Sequence, residues 1–259
     1  MIKLAANLTM LFTELPFMDR FKAAAEAGFR GVEFLFPYAF DVHAMATQLT
    51  DNHLELVLHN LPAGNWDAGE RGIACHPDRI NEFEEGVIKA IYFAKILGVQ
   101  QLNCLAGIQP ENVSDEQAFK TLKRNLSFAA TQLKKENLRL LIEPINTFDI
   151  RGFFLSGTQQ AIDLISATGA DNLFIQYDIY HMQRMEGELI NTLRKNLPQI
   201  KHVQLADNPG RFEPGTGEIN YRNLFKALVS MGYDGWIGCE YHPKQGTMTG
   251  LGWRAAHGV

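Results

Sequence analysis

The sequence lacks an excess of basic residues and lacks any long apolar run. Lys and Arg total 24 against 29 Asp and Glu, giving a formal net charge of -5 at pH 7. Bulk charge of this sign does not attract phosphate backbones or anionic lipid, so we expect neither nucleic acid nor a membrane as a partner. No stretch of about 18 apolar residues occurs, so we expect no membrane-spanning helix.

Cysteine is also scarce. The three cysteines are Cys75, Cys104 and Cys239, which are widely spaced and form no CxxC pair. This pattern argues against a disulfide scaffold and favours a reducing compartment. The N-terminus has neither a basic start nor a small-residue cleavage site, so it does not resemble a signal peptide. We therefore expect a cytoplasmic protein.

What the sequence does contain is an alternation of strand and helix patterns along all 259 residues. Most of the apolar runs are too continuous to have one wet face, which is typical of buried parallel strands. The eight predicted strands are 3–8, 31–36, 54–58, 100–105, 139–143, 173–178, 202–205 and 236–240. The longest helical stripe, 119–133, follows a capping box from Ser114 to Gln117. The alternation predicts a single (β/α)8 TIM barrel spanning 1–259. A doubly wound sheet would usually carry a glycine-rich turn after its first strand, and residues 7–12 contain no glycine.

One connection is unusually long. About 18 residues, 59–76, separate the third strand from a helix expected near Pro77. Loops of this length are commonly functional, and in a barrel this one follows a strand and lies on the active face. Its glycines and Trp66 suit either a mobile lid or a rigid cap.

Oxygen-bearing side chains close four consecutive strands: Glu143, Asp178, Gln204 and Glu240. Catalytic groups of a barrel project from the C-terminal ends of its strands, so these four should converge. Three clustered carboxylates would repel one another unless a cation lay between them. An all-oxygen donor set favours Mg²⁺ or Mn²⁺, while the nearby His181 and His202 leave Zn²⁺ open.

Long motifs throughout the chain resemble the xylose-isomerase-like barrel superfamily and, within it, the hydroxypyruvate isomerase family. They are residues 6–12, 31–38, 59–64, 68–72, 143–146, 177–187, 213–221 and 235–241. The resemblance implies a divalent metal on Glu143, Asp178, Gln204 and Glu240, and a proton-transferring pair formed by Glu143 and Glu240. Sugar epimerase relatives usually carry His where Gln204 stands, which weakens an epimerase interpretation.

The implied activity is an aldose–ketose type isomerisation of hydroxypyruvate to tartronate semialdehyde through a cis-enediolate. A sister group that isomerises 2-oxo-tetronates is the alternative. A metallonuclease would need several metal-binding His and a basic face, and a sugar-binding barrel would not need two acids. The expected partner is a small 2-oxo acid, and a homo-oligomer is left open.

A 2-oxo acid needs a partner for its carboxylate. Arg211 is the first candidate because a guanidinium can bind a carboxylate through two hydrogen bonds, and Arg71 on the long loop is the second. His59 and His181 follow strand ends and are predicted to bind substrate oxygens, a structural hydrogen bond being the alternative for each. Glu33 and Asp207 are expected to support the site without touching substrate.

Overall fold

Eight parallel strands form a closed barrel in a computed structural model that describes residues 2–259. Each strand pairs with the next along the chain, and β8 closes the ring against β1. The strands are β1 Lys3–Asn7, β2 Gly31–Phe34, β3 Glu55–Asn60, β4 Gln101–Cys104, β5 Arg139–Ile142, β6 Leu173–Asp178, β7 Ile200–Leu205 and β8 Trp236–Cys239. The predicted TIM barrel is confirmed, and the predicted strands differ from these by at most two residues at either end.

Helices connect the strands around the outside of the barrel. They are α1 Arg20–Glu26, α2 Val42–Asp51, α3 Ile80–Leu97, α4 Asp115–Lys135, α5 Thr158–Thr168, α6 Ile179–Met185, α7 Leu189–Asn196, α8 Tyr221–Ser230, α9 Thr247–Gly250 and α10 Trp253–His257. The Ser114 half of the predicted capping box of α4 is confirmed, since the Ser114 side chain accepts from the backbone N–H of Gln117 at 3.3 Å. Among residues 2–259, no helix has both the length and the apolar character needed to cross a membrane.

The barrel interior changes from apolar to polar along its axis. Ala5, Val57, Leu58 and Leu141 form a small apolar cluster covered by Phe174 and Trp236. Nearer the C-terminal ends of the strands, Glu33 reaches into the centre of the barrel beneath Gly238. A Cβ at position 238 would lie 2.3 Å from a Glu33 oxygen, so glycine is what leaves room for that carboxylate.

The long loop after β3 is tied down at both ends. Gly64, Gly69 and Gly72 have φ of 80°, 92° and 112°, values that glycine adopts without strain. A Cβ on Gly72 would lie 2.5 Å from the Leu105 carbonyl, so the loop packs directly on the segment after β4. Helix α3 begins at Ile80, three residues later than the expected start at Pro77. All three cysteines are buried and free of disulfides.

Candidate active site

Three carboxylates meet at the C-terminal end of the barrel, as the strand-end pattern predicts. Asp178 is the last residue of β6, while Glu143 and Glu240 directly follow β5 and β8. Their exposed fractions are only 4%, 0% and 3% for Glu143, Asp178 and Glu240. Asp178 also caps α6 by accepting from the backbone N–H of Tyr180 at 2.8 Å. Buried carboxylates this close together need compensating positive charge.

His181 joins this group because it lies one helical turn beyond Asp178. Its Nε2 is 3.5 Å from Oδ2 of Asp178 and 3.8 Å from Oε1 of Glu143. Glu143, Asp178 and His181 each offer a ligand atom within 4.8 Å of the others, a spacing that suits a metal ion. The structure thus places a nitrogen atom beside the predicted oxygen set.

The hydrogen bonds behind His181 favour a donor role for its Nε2. The carbonyl oxygen of Asn146 accepts from the backbone N–H groups of Phe148 and Asp149, so its amide nitrogen faces Nδ1 of His181 at 2.6 Å. With Nδ1 accepting, a neutral imidazole carries its proton on Nε2. Burial, followed by the charges of Arg211 and Arg184, lowers the pKa of His181 well below its ordinary value, which keeps the ring neutral. This arrangement fits hydrogen bonding to a substrate oxygen better than metal ligation.

Arg211 reaches into the acid cluster from the loop after β7. Its Nη2 lies 2.9 Å from Oε2 of Glu240, 3.5 Å from Oδ2 of Asp178 and 3.4 Å from Nε2 of His181. Asp207 shapes this loop, because its Oδ2 accepts from the backbone N–H groups of Gly215 and Gly217 at 2.8 and 2.9 Å. Arg211 itself has a φ of 55°, a left-handed conformation that the surrounding loop maintains.

The cluster shifts the proton affinities of its members. Burial raises the pKa of Glu143 well above the ordinary value, and the charges of Glu240 and Asp178 add to the rise. Burial raises the pKa of Glu240 to about 8 and that of Asp178 to about 6, although Arg211 opposes both shifts. Burial disfavours the charged form of Arg211, but the surrounding acids outweigh it and raise its pKa. The site therefore holds more negative charge than one guanidinium neutralises.

A layer of buried hydrogen bonds forms the floor beneath the acids. Glu33 accepts from Nε2 of His202 at 2.6 Å, from the amide of Gln204 at 2.7 Å and from the amide of Asn7 at 3.0 Å. The Gln204 carbonyl oxygen accepts from the amide of Gln176 at 2.6 Å. His202 and Gln204 thus share one side of β7, one layer apart, and Glu33 has the supporting position expected for it.

The predicted site residues fall into two groups in the structure. It brings together Glu143, Asp178, Glu240, His181 and Arg211, while Gln204 lies directly below them in the floor. It does not bring His59 and Arg71 to the acids.

His59 packs outside the strands instead. Its ring stacks on Phe34 at 6.5 Å, its Nδ1 lies 3.1 Å from the Asn60 carbonyl oxygen, and burial lowers its pKa to about 4. These contacts fit the structural alternative for His59, because strand alternation turns position 59 away from the barrel centre while position 60 faces it.

Arg71 serves its own loop. Its guanidinium lies 4.1 Å over the Trp66 ring, and Nη1 donates to the Trp66 carbonyl at 3.0 Å. These contacts hold the loop together and do not extend to the carboxylates.

Two asparagines in the site were missed by the sequence reasoning. The Asn103 amide donates to Oε2 of Glu143 at 3.1 Å, and the Asn7 amide lies 3.4 Å from Oε1 of Glu240. Both stand near the ends of predicted strands one and four, so the pattern that revealed the acids was present there too. Extending the strand-end pattern from strands five to eight to strands one and four identifies both asparagines.

The residues present fit a divalent cation. The ligand atoms of Glu143 and Asp178 are close together, and Glu240 is joined to Asp178 through Arg211. The raised pKa values of all three acids express the cost of gathering negative charge there, a cost that a cation would remove. The Gln204 oxygen retains a second lone pair beyond the one used by Gln176.

Comparisons with known proteins identify the family. The model of the xylose isomerase-like TIM barrel family matches residues 21–257. The chain is 56% identical to the hydroxypyruvate isomerase of Escherichia coli (strain K12) over 253 residues, which cover 98% of both chains. It is 42% identical to the 2-oxo-tetronate isomerase of Cupriavidus necator, with coverage of 98% of this chain and 97% of the relative. A crystal structure described as an AP endonuclease, family 2, from Brucella melitensis is similar with a TM-score of 0.96 and 42% identity, covering 99% of both chains. The chain therefore belongs to the xylose isomerase-like TIM barrel family.

Proposed function

We propose that this protein is an isomerase that interconverts hydroxypyruvate and tartronate semialdehyde. The observation that carries the proposal is the pair of buried acids, Glu143 and Glu240, held in one cluster with Arg211 and His181. The 56% identity with the hydroxypyruvate isomerase of Escherichia coli supports the choice of substrate. The three buried free cysteines support a reducing, cytoplasmic environment.

The reaction needs two groups that exchange protons with neighbouring carbons. One proton leaves C3 of hydroxypyruvate, another arrives at C2, and an enediolate lies between the two states. A carboxylate whose pKa is raised toward neutrality is a stronger base and also carries a proton that it can return. Burial raises the pKa of both Glu143 and Glu240, which suits each for this exchange.

Arg211 and His181 supply donors for the substrate's oxygens. The guanidinium of Arg211 binds the substrate carboxylate, exchanging part of its contact with Glu240 for the ligand. The Nε2–H of the neutral His181 is available to the oxygen on C2. Binding at buried positions also excludes water from the enediolate.

We infer that Glu143, Asp178, Gln204 and Glu240 hold a divalent cation, Mg²⁺ or Mn²⁺. Three carboxylates and an amide oxygen are hard donors, and Glu143 and Glu240 can each bind through one oxygen and exchange protons through the other. When bound, such an ion supplies Lewis acidity and a template for two neighbouring substrate oxygens.

The second candidate is a 2-oxo-tetronate isomerase. The 42% identity with the Cupriavidus necator enzyme supports it, and the chemistry of the acid pair is the same. A nuclease activity has less support, because the net charge is -5 and the centre of the site is acidic, which disfavours a phosphate backbone.

The test is to offer hydroxypyruvate and a 2-oxo-tetronate in parallel to metal-stripped protein and to protein with Mg²⁺ or Mn²⁺ restored. We expect metal-dependent turnover with hydroxypyruvate preferred. Turnover of the tetronate alone would establish the second candidate, and equal metal-independent rates would contradict the metal assignment.

A further inference from the structure

Two buried asparagines stand side by side at the ends of β3 and β4, across the barrel from Arg211. Asn60 and Asn103 are Cα partners in the sheet, and their exposed fractions are 2% and 0%. The Asn103 amide nitrogen donates both to Oδ1 of Asn60 at 3.2 Å and to Oε2 of Glu143 at 3.1 Å. The pair is therefore connected directly to one of the two reacting acids.

Each asparagine keeps one buried polar atom without a partner among residues 2–259. These atoms are Nδ2 of Asn60, a donor, and Oδ1 of Asn103, an acceptor. Buried polar atoms in folded proteins are nearly always hydrogen-bonded, so an unmatched donor and acceptor on adjacent side chains point to a ligand group that completes both.

We propose that Asn60 and Asn103 bind the terminal hydroxyl of the substrate, an inference that rests on the proposed function. A hydroxyl both donates and accepts, so it matches the two free atoms. A carboxylate can only accept hydrogen bonds, and its negative oxygen would be repelled by the partially negative amide oxygen of Asn103. The neutral amide pair thus selects the hydroxymethyl end of a 2-oxo acid, while Arg211 takes the carboxylate end.

This orientation assigns different roles to the two acids. With the hydroxymethyl group at Asn103, C3 lies beside Glu143, whose Oε2 is held by that same asparagine. With the carboxylate at Arg211, C2 lies nearer to Glu240, which Arg211 contacts at 2.9 Å. Glu143 therefore removes the C3 proton and Glu240 delivers a proton to C2. The C3 hydroxyl loses its proton as the aldehyde forms, and the C2 oxygen gains one. Proton exchange with solvent then returns Glu143 to its ionised form and Glu240 to its protonated form, so no other reactant is needed.

Two inert analogues test the subsite without turnover. Glycerate carries the terminal hydroxyl and lactate lacks it, while both retain the carboxylate and the hydroxyl on C2. Calorimetric titration of the Mn²⁺-loaded protein should show glycerate binding roughly two- to tenfold more tightly than lactate, the range expected for neutral hydrogen bonds. In Asn60→Leu and Asn103→Leu this preference should disappear, and Asn60→Leu should bind lactate as the wild type does.

Asn125→Leu is the matched control. Asn125 is a fully buried asparagine in α4 whose amide donates to the Ala74 carbonyl at 2.9 Å, so its loss should leave the preference intact. If Asn103→Leu does not fold, Asn60→Leu alone decides. That substitution keeps the backbone carbonyl that Tyr38 contacts, and it removes a single hydrogen bond from Asn103, whose amide still donates to Glu143.

A wild type without the preference, or an Asn60→Leu protein that keeps it, would overturn the subsite. The two proposals can fail separately. If both variants lose the preference for glycerate but the wild type does not isomerise hydroxypyruvate, the result contradicts the proposed function and still supports the hydroxyl subsite.

Discussion

The guanidinium of Arg211 donates from Nη2 to Oε2 of Glu240 at 2.9 Å, and the same nitrogen lies 3.5 Å from Oδ2 of Asp178. One cation is thus shared by two carboxylates that are almost completely buried. Its position gives Arg211 two roles, since it stabilises the metal-free protein and also supplies a binding partner for an anionic substrate.

Removing this cation should destabilise the metal-free protein strongly. We expect Arg211→Met to lower the free energy of unfolding by about 3–5 kcal/mol, because buried carboxylates then lose their partner. Urea denaturation with chelator present measures the loss, and added Mn²⁺ should recover much of it. Arg184→Met is the control: Arg184 pairs with the partly exposed Asp149, so its loss should cost below about 1 kcal/mol. An Arg211→Met protein as stable as wild type would contradict this description of the site.

The raised acid pKa values predict how the stability of the metal-free protein varies with pH. Burial raises the pKa of Glu240 to about 8 and that of Asp178 to about 6, whereas free carboxylates titrate near 4. Between about pH 4 and pH 8 the folded state binds more protons than the unfolded state. The contribution of these two acids to the free energy of unfolding is therefore complete below about pH 4 and is lost as the pH rises to about 8. Urea midpoints at pH 6, 7, 8 and 9 should therefore decline.

Glu240→Gln is the variant that isolates one of these acids. It should flatten the decline between pH 7 and 9, because it removes the titration of Glu240, whose pKa is raised to about 8. A divalent cation should flatten it as well, because it favours the ionised carboxylates. Urea midpoints that rise from pH 6 to 8, or an equally steep decline in Glu240→Gln, would show that the pKa values of these acids are not raised.

The two proposed proton carriers should be essential for turnover and dispensable for folding. Glu143→Gln and Glu240→Gln should each lower kcat by about 10²–10⁴-fold, the contribution typical of a positioned acid or base. Circular dichroism should show an intact fold. Glu186→Gln is a matched control, because that carboxylate accepts from Thr158 at the start of α5 and does not contact the acid cluster. Full activity in either of the first two variants would refute the assignment.

The hydrogen-bonded layer around Glu33, beneath the acids, should affect the affinity of the site for a divalent metal. Glu33 accepts from His202, Gln204 and Asn7, so Glu33→Gln would place an amide donor against other donors. We expect a loss of about 1–3 kcal/mol in stability, and Mn²⁺ affinity lower by about 10–100-fold as Gln204 loses its orientation. Calorimetry measures the affinity, and Gln159→Glu on the exposed face of α5 controls for a Gln–Glu exchange. An unchanged Mn²⁺ affinity would mean that Gln204 is not oriented by Glu33.

The fold and the convergence of the acids could be predicted because they follow from strand periodicity. Glu143, Asp178 and Glu240 each end an apolar run, and a parallel barrel brings all such positions to one face. Side-chain direction near strand ends was harder to foresee. The apolar run of predicted strand three ends at residue 58, while β3 continues to Asn60. That extension fixes the side chain of Asn60 as inward and that of His59 as outward.

Partner choice among buried polar groups could not be foreseen either. The sequence shows Gln204 beside the acids, but its hydrogen bonds with Glu33 and Gln176 depend on residues 171 and 28 positions away. His181 illustrates the same limit, since the tautomer favoured by Asn146 depends on how the loop after β5 turns back. Such contacts are set by tertiary packing and leave no periodic signal.

The most direct test of the central claim is hydroxypyruvate turnover in D₂O, followed by NMR at early times with a no-enzyme control. A pair of acids that exchange with solvent should place one deuteron at C2 of nearly every tartronate semialdehyde formed, and Glu143→Gln and Glu240→Gln should each slow its formation by about 10²–10⁴-fold. Product that retains protium at C2 would show that the hydrogen passes from C3 to C2 without exchange and would contradict delivery of a solvent-exchanged proton by Glu240.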